Sequence, residues 1–142
     1  MKQFNRIILP VDGSDLSKKA AEKAFEIAKN LSLDIYSIYV IDMNIYTNMV
    51  SKDQIATQWE SILKNEGKAI FKELGEIADL ENINLTTKIL EGNPADEILK
   101  ISDENDLIIM GSKGKNALDR VLVGSVSENV LHHSDASVMI IR

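Results

Sequence analysis

Five short apolar runs, each separated from the next by a turn or a stretch of helical periodicity, leave this chain few folds to adopt. Ile7-Ile8-Leu9-Pro10-Val11 is a continuous apolar run, which suits a strand covered on both faces. Asp12-Gly13-Ser14-Asp15 closes it with turn chemistry and supplies helix N-caps. Ala20, Ala21, Ala24, Phe25, Ile27 and Ala28 then recur at helical spacing through about Leu31. Leu33 to Ile41, rich in Ile, Tyr and Val, predicts the second strand. Asp42 to Val50 shows no period, and its place after strand two suits a cover for whatever binds there. From Ser51 to about Asn82 the helical pattern returns, with Ile55, Trp59, Ile62, Leu63, Ile70, Leu74 and Ile77 on one stripe. Gly67 and Gly75 are candidate bends in it. Leu85 to Leu90 is the third strand. Glu91-Gly92-Asn93-Pro94 makes a turn with Asn93 as N-cap and Pro94 at the first helical position. Ala95, Ile98, Leu99 and Ile101 form the apolar side of the helix that follows. Asp106 to Met110 is the fourth strand, Gly124 to His133 a fourth helix and Val138 to Ile141 the last strand.

Strands alternating with helices imply parallel pairing through right-handed crossovers, hence a single α/β domain with a doubly wound five-stranded sheet. The expected strand order is 3-2-1-4-5. Strands 1 and 4 are then neighbours whose following segments leave toward opposite faces, and ligands bind at such switch points. The loops opening there are Val11-Asp12-Gly13 and Met110-Gly111.

The second of these loops carries the most distinctive motif. Gly111, Gly114 and Gly124 are spaced G-x2-G-x9-G, and Ser125 follows the last glycine directly. Glycines let the main chain approach an anion, and the free N–H groups of a helix's first turn point at it. Lys113, Lys115 and Arg120 stand in this loop against a single acid, Asp119, in a chain of formal charge -6. A local excess of cations on an acidic protein points to an anionic ligand. Solvated loop lysines and ordinary turn glycines are the plain alternative. The motif is neither a Walker loop nor the GxGxxG dinucleotide fingerprint.

Other function classes fall away on composition. There are no cysteines, so disulfides and thiolate chemistry are excluded. The acidic balance argues against nucleic-acid binding. No apolar run approaches the ~20 residues of a membrane helix, and no signal-peptide core opens the chain, so a cytoplasmic location is expected. His132 and His133 are adjacent on a helix and therefore face differently, an arrangement that suits one surface and one partly buried histidine better than a metal pair.

The G-x2-G-x9-G-[S/T] pattern after the fourth strand resembles the ATP-binding signature of the universal stress protein family. The likeness runs through the chain, from Ile8-Leu9-Pro10-Val11-Asp12 and Gly13-Ser14 to Val40-Ile41-Asp42, Gly92-Asn93-Pro94 and Gly111 through Ser134. It implies one universal stress protein domain over residues 1–142, Rossmann-like and akin to the adenine nucleotide alpha hydrolases. It implies ATP as ligand, with Pro10, Val11 and Asp12 at the adenosine end, Val40 against adenine and Met110 as an adenosine wall. Val11, Val40 and Met110 equally suit strand core, and Asp12 a strand-end turn. The same resemblance places Gly111 and Gly114 near ribose and α-phosphate, and Gly124, Ser125 and Val126 at the β- and γ-phosphates, with Ser127 and Asn129 as lesser candidates. Mg2+ or Mn2+ is expected to ride on the phosphates, since no carboxylate cluster is offered to it.

No residue near the signature is placed as a general base, so a nucleotide-dependent regulatory protein is expected, with hydrolysis slow or partner-dependent. Two alternatives stand beside it. Val11-Asp12-Gly13-Ser14-Asp15-Leu16-Ser17 resembles, without its double glycine, the SGGxDS loop of ATP pyrophosphatases, which would make the chain an enzyme. A scaffold without nucleotide, with an unidentified protein partner, is the other. Ser137 to Ile141 would form a sheet edge with no charge before Arg142, an invitation to twofold pairing with a second copy. Dimerisation by this strand is also what the resemblance implies.

Overall fold

Strand β1 (Arg6–Pro10) lies at the middle of the sheet, with β2 (Asp34–Ile41) and β3 (Leu85–Glu91) on one side, β4 (Leu107–Gly111) and β5 (Ser137–Ile141) on the other. All pairings are parallel, in the order 3-2-1-4-5 expected from the alternation. The computed structural model describes residues 3–44, 53–114 and 123–142. Side chains are described from residue 57 onward in the long second helix.

Alternation along the strands divides the core into two layers. Ile7, Leu9, Ile35, Tyr39, Leu107 and Ile109 pack beneath α1 (Asp15–Leu31) and α2 (Asp53–Glu81). Ile8, Ile38, Ile108 and Met110 pack beneath α3 (Pro94–Ile101) and α4 (Ser125–His133). Helix α1 presents Ala20, Ala21, Ala24 and Ala28 to the sheet, all buried. It starts at Ser14, whose side chain accepts the Ser17 N–H at 3.1 Å, and stops at Ser32 in the left-handed region. Asn93 caps α3 in the same way, with Pro94 just inside it.

The long apolar stripe expected on α2 does not hold together. Leu63, Ile70 and Leu74 turn toward the core, but Trp59, Ile62 and Ile77 are 45%, 54% and 42% exposed. Ile62 and Ile77 stand one residue from core-packed Leu63 and buried Ala78, about 100° around the helix from them, so they flank the buried face instead of sharing it. Gly67 has a packing role: a side chain there would begin 2.9 Å from Tyr39 Cδ1, so glycine lets α2 settle onto β2. His132 and His133 are both exposed, not one exposed and one partly buried. Helix α4 sinks only Ser127 and Val130 fully, and both histidines lie past its buried turn.

At the amino edge of the sheet, Asp106 is fully buried and accepts from Arg6 Nε at 3.2 Å and Nη2 at 3.3 Å, pinning β1 to the start of β4. The carboxyl edge holds the loops that concern function.

Candidate functional site

At the carboxyl ends of β1 and β4 two turns and one helix start converge. The first turn follows Val11, whose N–H still bonds to Ile38 O on β2 at 2.9 Å. Asp12 then donates its N–H to Ser17 Oγ at 3.1 Å and accepts the Ser14 N–H on Oδ1 at 2.9 Å. Gly13 takes φ +83, a conformation that favours glycine. The Asp12 carboxylate is thereby folded back over its own turn, with Oδ2 toward the second loop. A side chain on Gly114 would begin 3.0 Å from that oxygen.

The second loop, Gly111 to Gly114, is held by Ser112, which is buried. Its N–H donates to Ile141 O at 2.8 Å, and its carbonyl accepts both the Gly124 N–H and the Ser127 hydroxyl. One residue therefore ties together the ends of β4 and β5 and the start of α4. Gly124, the N-cap of α4, has extended backbone and offers no side-chain cap. Ser125 is exposed at the first helical position and Val126 half-buried behind it. The positive end of this helix carries first-turn N–H groups that no capping side chain takes up, the arrangement from which anion sites are built.

The expected residues are thus brought to one place, though not all in the expected manner. Gly111 makes room for the protein itself: a side chain there would begin 3.0 Å from Leu16 Cβ and 3.1 Å from the Leu16 backbone carbon. Gly124 faces Lys113, whose Cα would lie 3.0 Å from an added side chain. Val11 and Met110 are buried, in opposite core layers, as the strand-core alternative has them. Pro10 and Val40 are half-buried near the ends of their strands. Ser127 is turned inward, donating to the carbonyls of Ser112 and Gly124, and so has no hydroxyl proton left for a ligand. Asn129 is exposed one turn on, its carbonyl 2.9 Å from His133 Nδ1. Lys113 is half-buried in the loop. Lys115, Asp119 and Arg120, and most of the Asp42 to Ser51 connection, lie outside the described residues.

Sequence reasoning missed the parts that Leu16, Ser17 and Ser112 play. Ser17 had a signal, since Ser14-x-x-Ser17 is N-cap spacing. A groove of roughly 470 Å3 between α1 and α2, floored by Ala21, Phe25 and Leu74, lies away from the crevice, and none of the expected site residues lines it.

The model of the universal stress protein family matches residues 3–142. The chain belongs to the universal stress protein family. Universal stress protein MJ0531 of Methanocaldococcus jannaschii is 35% identical over 144 residues, covering 98% of this chain and 82% of the relative. Among solved structures, universal stress protein UspA from Lactobacillus plantarum superposes with a TM-score of 0.81 at 26% identity, covering 99% of both chains. A universal stress protein from Archaeoglobus fulgidus in complex with dAMP covers 100% of both chains with a TM-score of 0.66. At 20% identity that last likeness concerns the fold alone. Among the described residues of this universal stress protein, no group of three or more His, Cys, Asp or Glu is placed to hold a metal ion, and no helix is long and apolar enough to cross a membrane.

Proposed function

We propose that this universal stress protein binds ATP at the crevice between β1 and β4 and acts as a nucleotide-dependent regulatory protein. The observation that carries the reading is the α4 N-terminus: glycine-capped, free of a side-chain cap, and lashed by Ser112 to the Gly111–Gly114 loop opposite Asp12. A triphosphate meets there several main-chain N–H groups and a helix dipole of the right sign. Ser125 and Val126 take its terminal phosphates, Gly124, whose own N–H is held by Ser112, leaves the phosphates room without a side chain, and Gly114 leaves room beside the ribose. Asp12 offers a carboxylate oxygen to ribose or adenine. Pro10, Val11, Val40 and Met110 form the apolar end. A divalent ion, Mg2+ or Mn2+, would be held by the phosphates and water. Hydrolysis is slow or needs a partner, because Asp12, whose carboxylate faces Gly114, is already engaged by its own turn. The protein acts as a homodimer joined through β5, and its location is cytoplasmic.

Thermal melts of the purified protein with ATP, ADP, AMP and Mg2+ test this reading, together with analysis of any co-purified nucleotide. Ligand at 100 times its dissociation constant adds about 2.7 kcal/mol, a rise of several degrees for a domain of this size. Rapid phosphate release in the same samples would favour an enzyme. No shift and no co-purified nucleotide would favour a scaffold.

A further inference from the structure

The groove between α1 and α2 is lined along α1 from Lys18 to Lys29, about 16 Å or three helical turns. Ala21 and Phe25 of α1 and Leu74 of α2 give it an apolar floor. On the α2 wall Ile77 is 42% exposed. Leu80 lies three residues beyond Ile77 and seven beyond Glu73, so it shares that face of the helix, and it is 87% exposed. Scattered apolar side chains need no explanation, but two together beside an apolar floor make a contact surface.

The charges on the rim define what the surface accepts. Four glutamates line the groove against two lysines. Lys29 is held by Glu81 at 2.6 Å, and Glu26 is held at 2.9 Å by Lys23, which is not part of the groove. Glu22 on the α1 wall and Glu73 on the α2 wall are exposed, and neither belongs to an ion pair among the described residues. Lys18 is likewise unpaired among them and stands one turn before Glu22, at the end of the groove. An apolar floor between unpaired carboxylates on both walls fits a helix with an apolar stripe flanked on each side by lysine or arginine. A second copy of this chain fits poorly. Twofold pairing on this face would bring two acidic rims together, and like charges set against each other oppose association.

We propose that the α1–α2 groove docks a basic amphipathic helix of another protein. Leucine-like side chains of that helix enter between Phe25 and Ile77, and its basic flanks meet Glu22 and Glu73. The site is separate from the β1–β4 crevice and does not depend on nucleotide.

The probe is a fluorescent peptide of about five helical turns, built from leucine, alanine and lysine, with leucines at i, i+3, i+4 and i+7 and lysines flanking them. It is titrated with the full chain and followed by anisotropy. One control peptide has the same composition in scrambled order, and another carries glutamate for every lysine. Saturable binding is expected for the first peptide alone, weakening as salt is added. Glu22→Gln/Glu73→Gln should lower the affinity about tenfold, and Ile77→Ser/Leu80→Ser should lower it comparably. Glu104→Gln/Asp135→Asn removes the same charge from exposed positions elsewhere and should bind like wild type. All six positions are exposed, and each variant is compared only with far-ultraviolet dichroism matching wild type. Absence of saturable binding, equal binding of the scrambled peptide, unchanged affinity in both groove variants, or an equal loss in Glu104→Gln/Asp135→Asn overturns the proposal. A wild-type mass that falls in Ile77→Ser/Leu80→Ser, read by light scattering, would give this face to a second copy and overturn it as well.

Discussion

Leu16 occupies the space that a side chain on Gly111 would need, its Cβ 3.0 Å from where that side chain would begin. The first turn of α1 thereby rests directly on the last residue of β4, and the two loops of the crevice share a wall. Gly111→Ala should therefore act on stability before it acts on any ligand. Overpacking of this kind costs about 1–3 kcal/mol, and the contact includes the Leu16 backbone, which cannot rotate aside. Calorimetry without nucleotide should show a melt lowered by roughly 3–10 °C. A variant that melts like wild type yet loses ATP would mean the glycine serves the ligand alone.

Ser125 offers a substitution whose two effects have opposite signs. It is exposed at the first position of α4, a helix whose N-cap is a glycine. In Ser125→Asp a carboxylate joins the positive end of the helix and should stabilise the nucleotide-free protein by about 0.3–1 kcal/mol at low salt. The same charge repels a triphosphate, so the gain in melting temperature on adding ATP should shrink or disappear. If both melts rise together, the phosphates do not lie at this helix end.

Much of this was legible in the chain, and what was not has a common cause. The strand order followed from alternation of short apolar runs with helical spacing, and Ser14, Asn93 and Pro94 announced their helix starts. The partner of Gly111 was implicit as well: Leu107 and Ile109 face the α1 side, so period two puts Gly111 there too. Ser127 was misassigned because spacing from Gly124 places it near the phosphate end but does not say which way its hydroxyl turns. Glu66 and Tyr39, 27 residues apart, meet only because α2 returns across β2. The stripe on α2 was drawn too wide: the core takes the Leu63, Ile70, Leu74 and Ala78 side of the helix, and Ile62 and Ile77 stand beside it.

Lys64 ties α2 to the end of β3, 2.8 Å from Glu60 Oε1 and 3.4 Å from Glu91 Oε1. Its hydrogen bond to Glu60 is the chief cause of two opposite displacements, lowering the Glu60 carboxyl below 4.5 and raising the Lys64 ammonium above 10.5. A lowered acid contributes stability that is present above its unfolded value and lost as pH falls through the folded one. A raised base contributes stability present below its unfolded value and lost as pH rises through the folded one. The melting difference between wild type and Lys64→Met should therefore be level across neutral pH, fade as pH falls below 4.5 and again as it rises above 10.5, and diminish with added salt. A difference that peaks near pH 6.5, where histidine titrates, would point to another group.

The two edges of the sheet are protected differently, and the difference predicts an assembly. Edge strand β3 carries Lys88 at its middle with Thr86 and Thr87 exposed beside it, which discourages pairing with another chain. Edge strand β5 is bonded to β4 on one side and has Val138, Met139, Ile140 and Ile141 half-buried along it, with no charge before Arg142. A twofold axis that sets β5 against its own copy would satisfy both edges at once and close the assembly at two chains. Ile140→Lys places a charge on that edge; light scattering should then show the mass falling from two chains to one, or aggregation. Thr87→Lys adds the same charge to the already guarded edge and should leave the mass unchanged. Because Ile140 also touches the α3 and α4 layer, far-ultraviolet dichroism must stay that of wild type for the mass to be read this way. A folded Ile140→Lys variant that keeps the wild-type mass would move the dimer contact elsewhere on the surface.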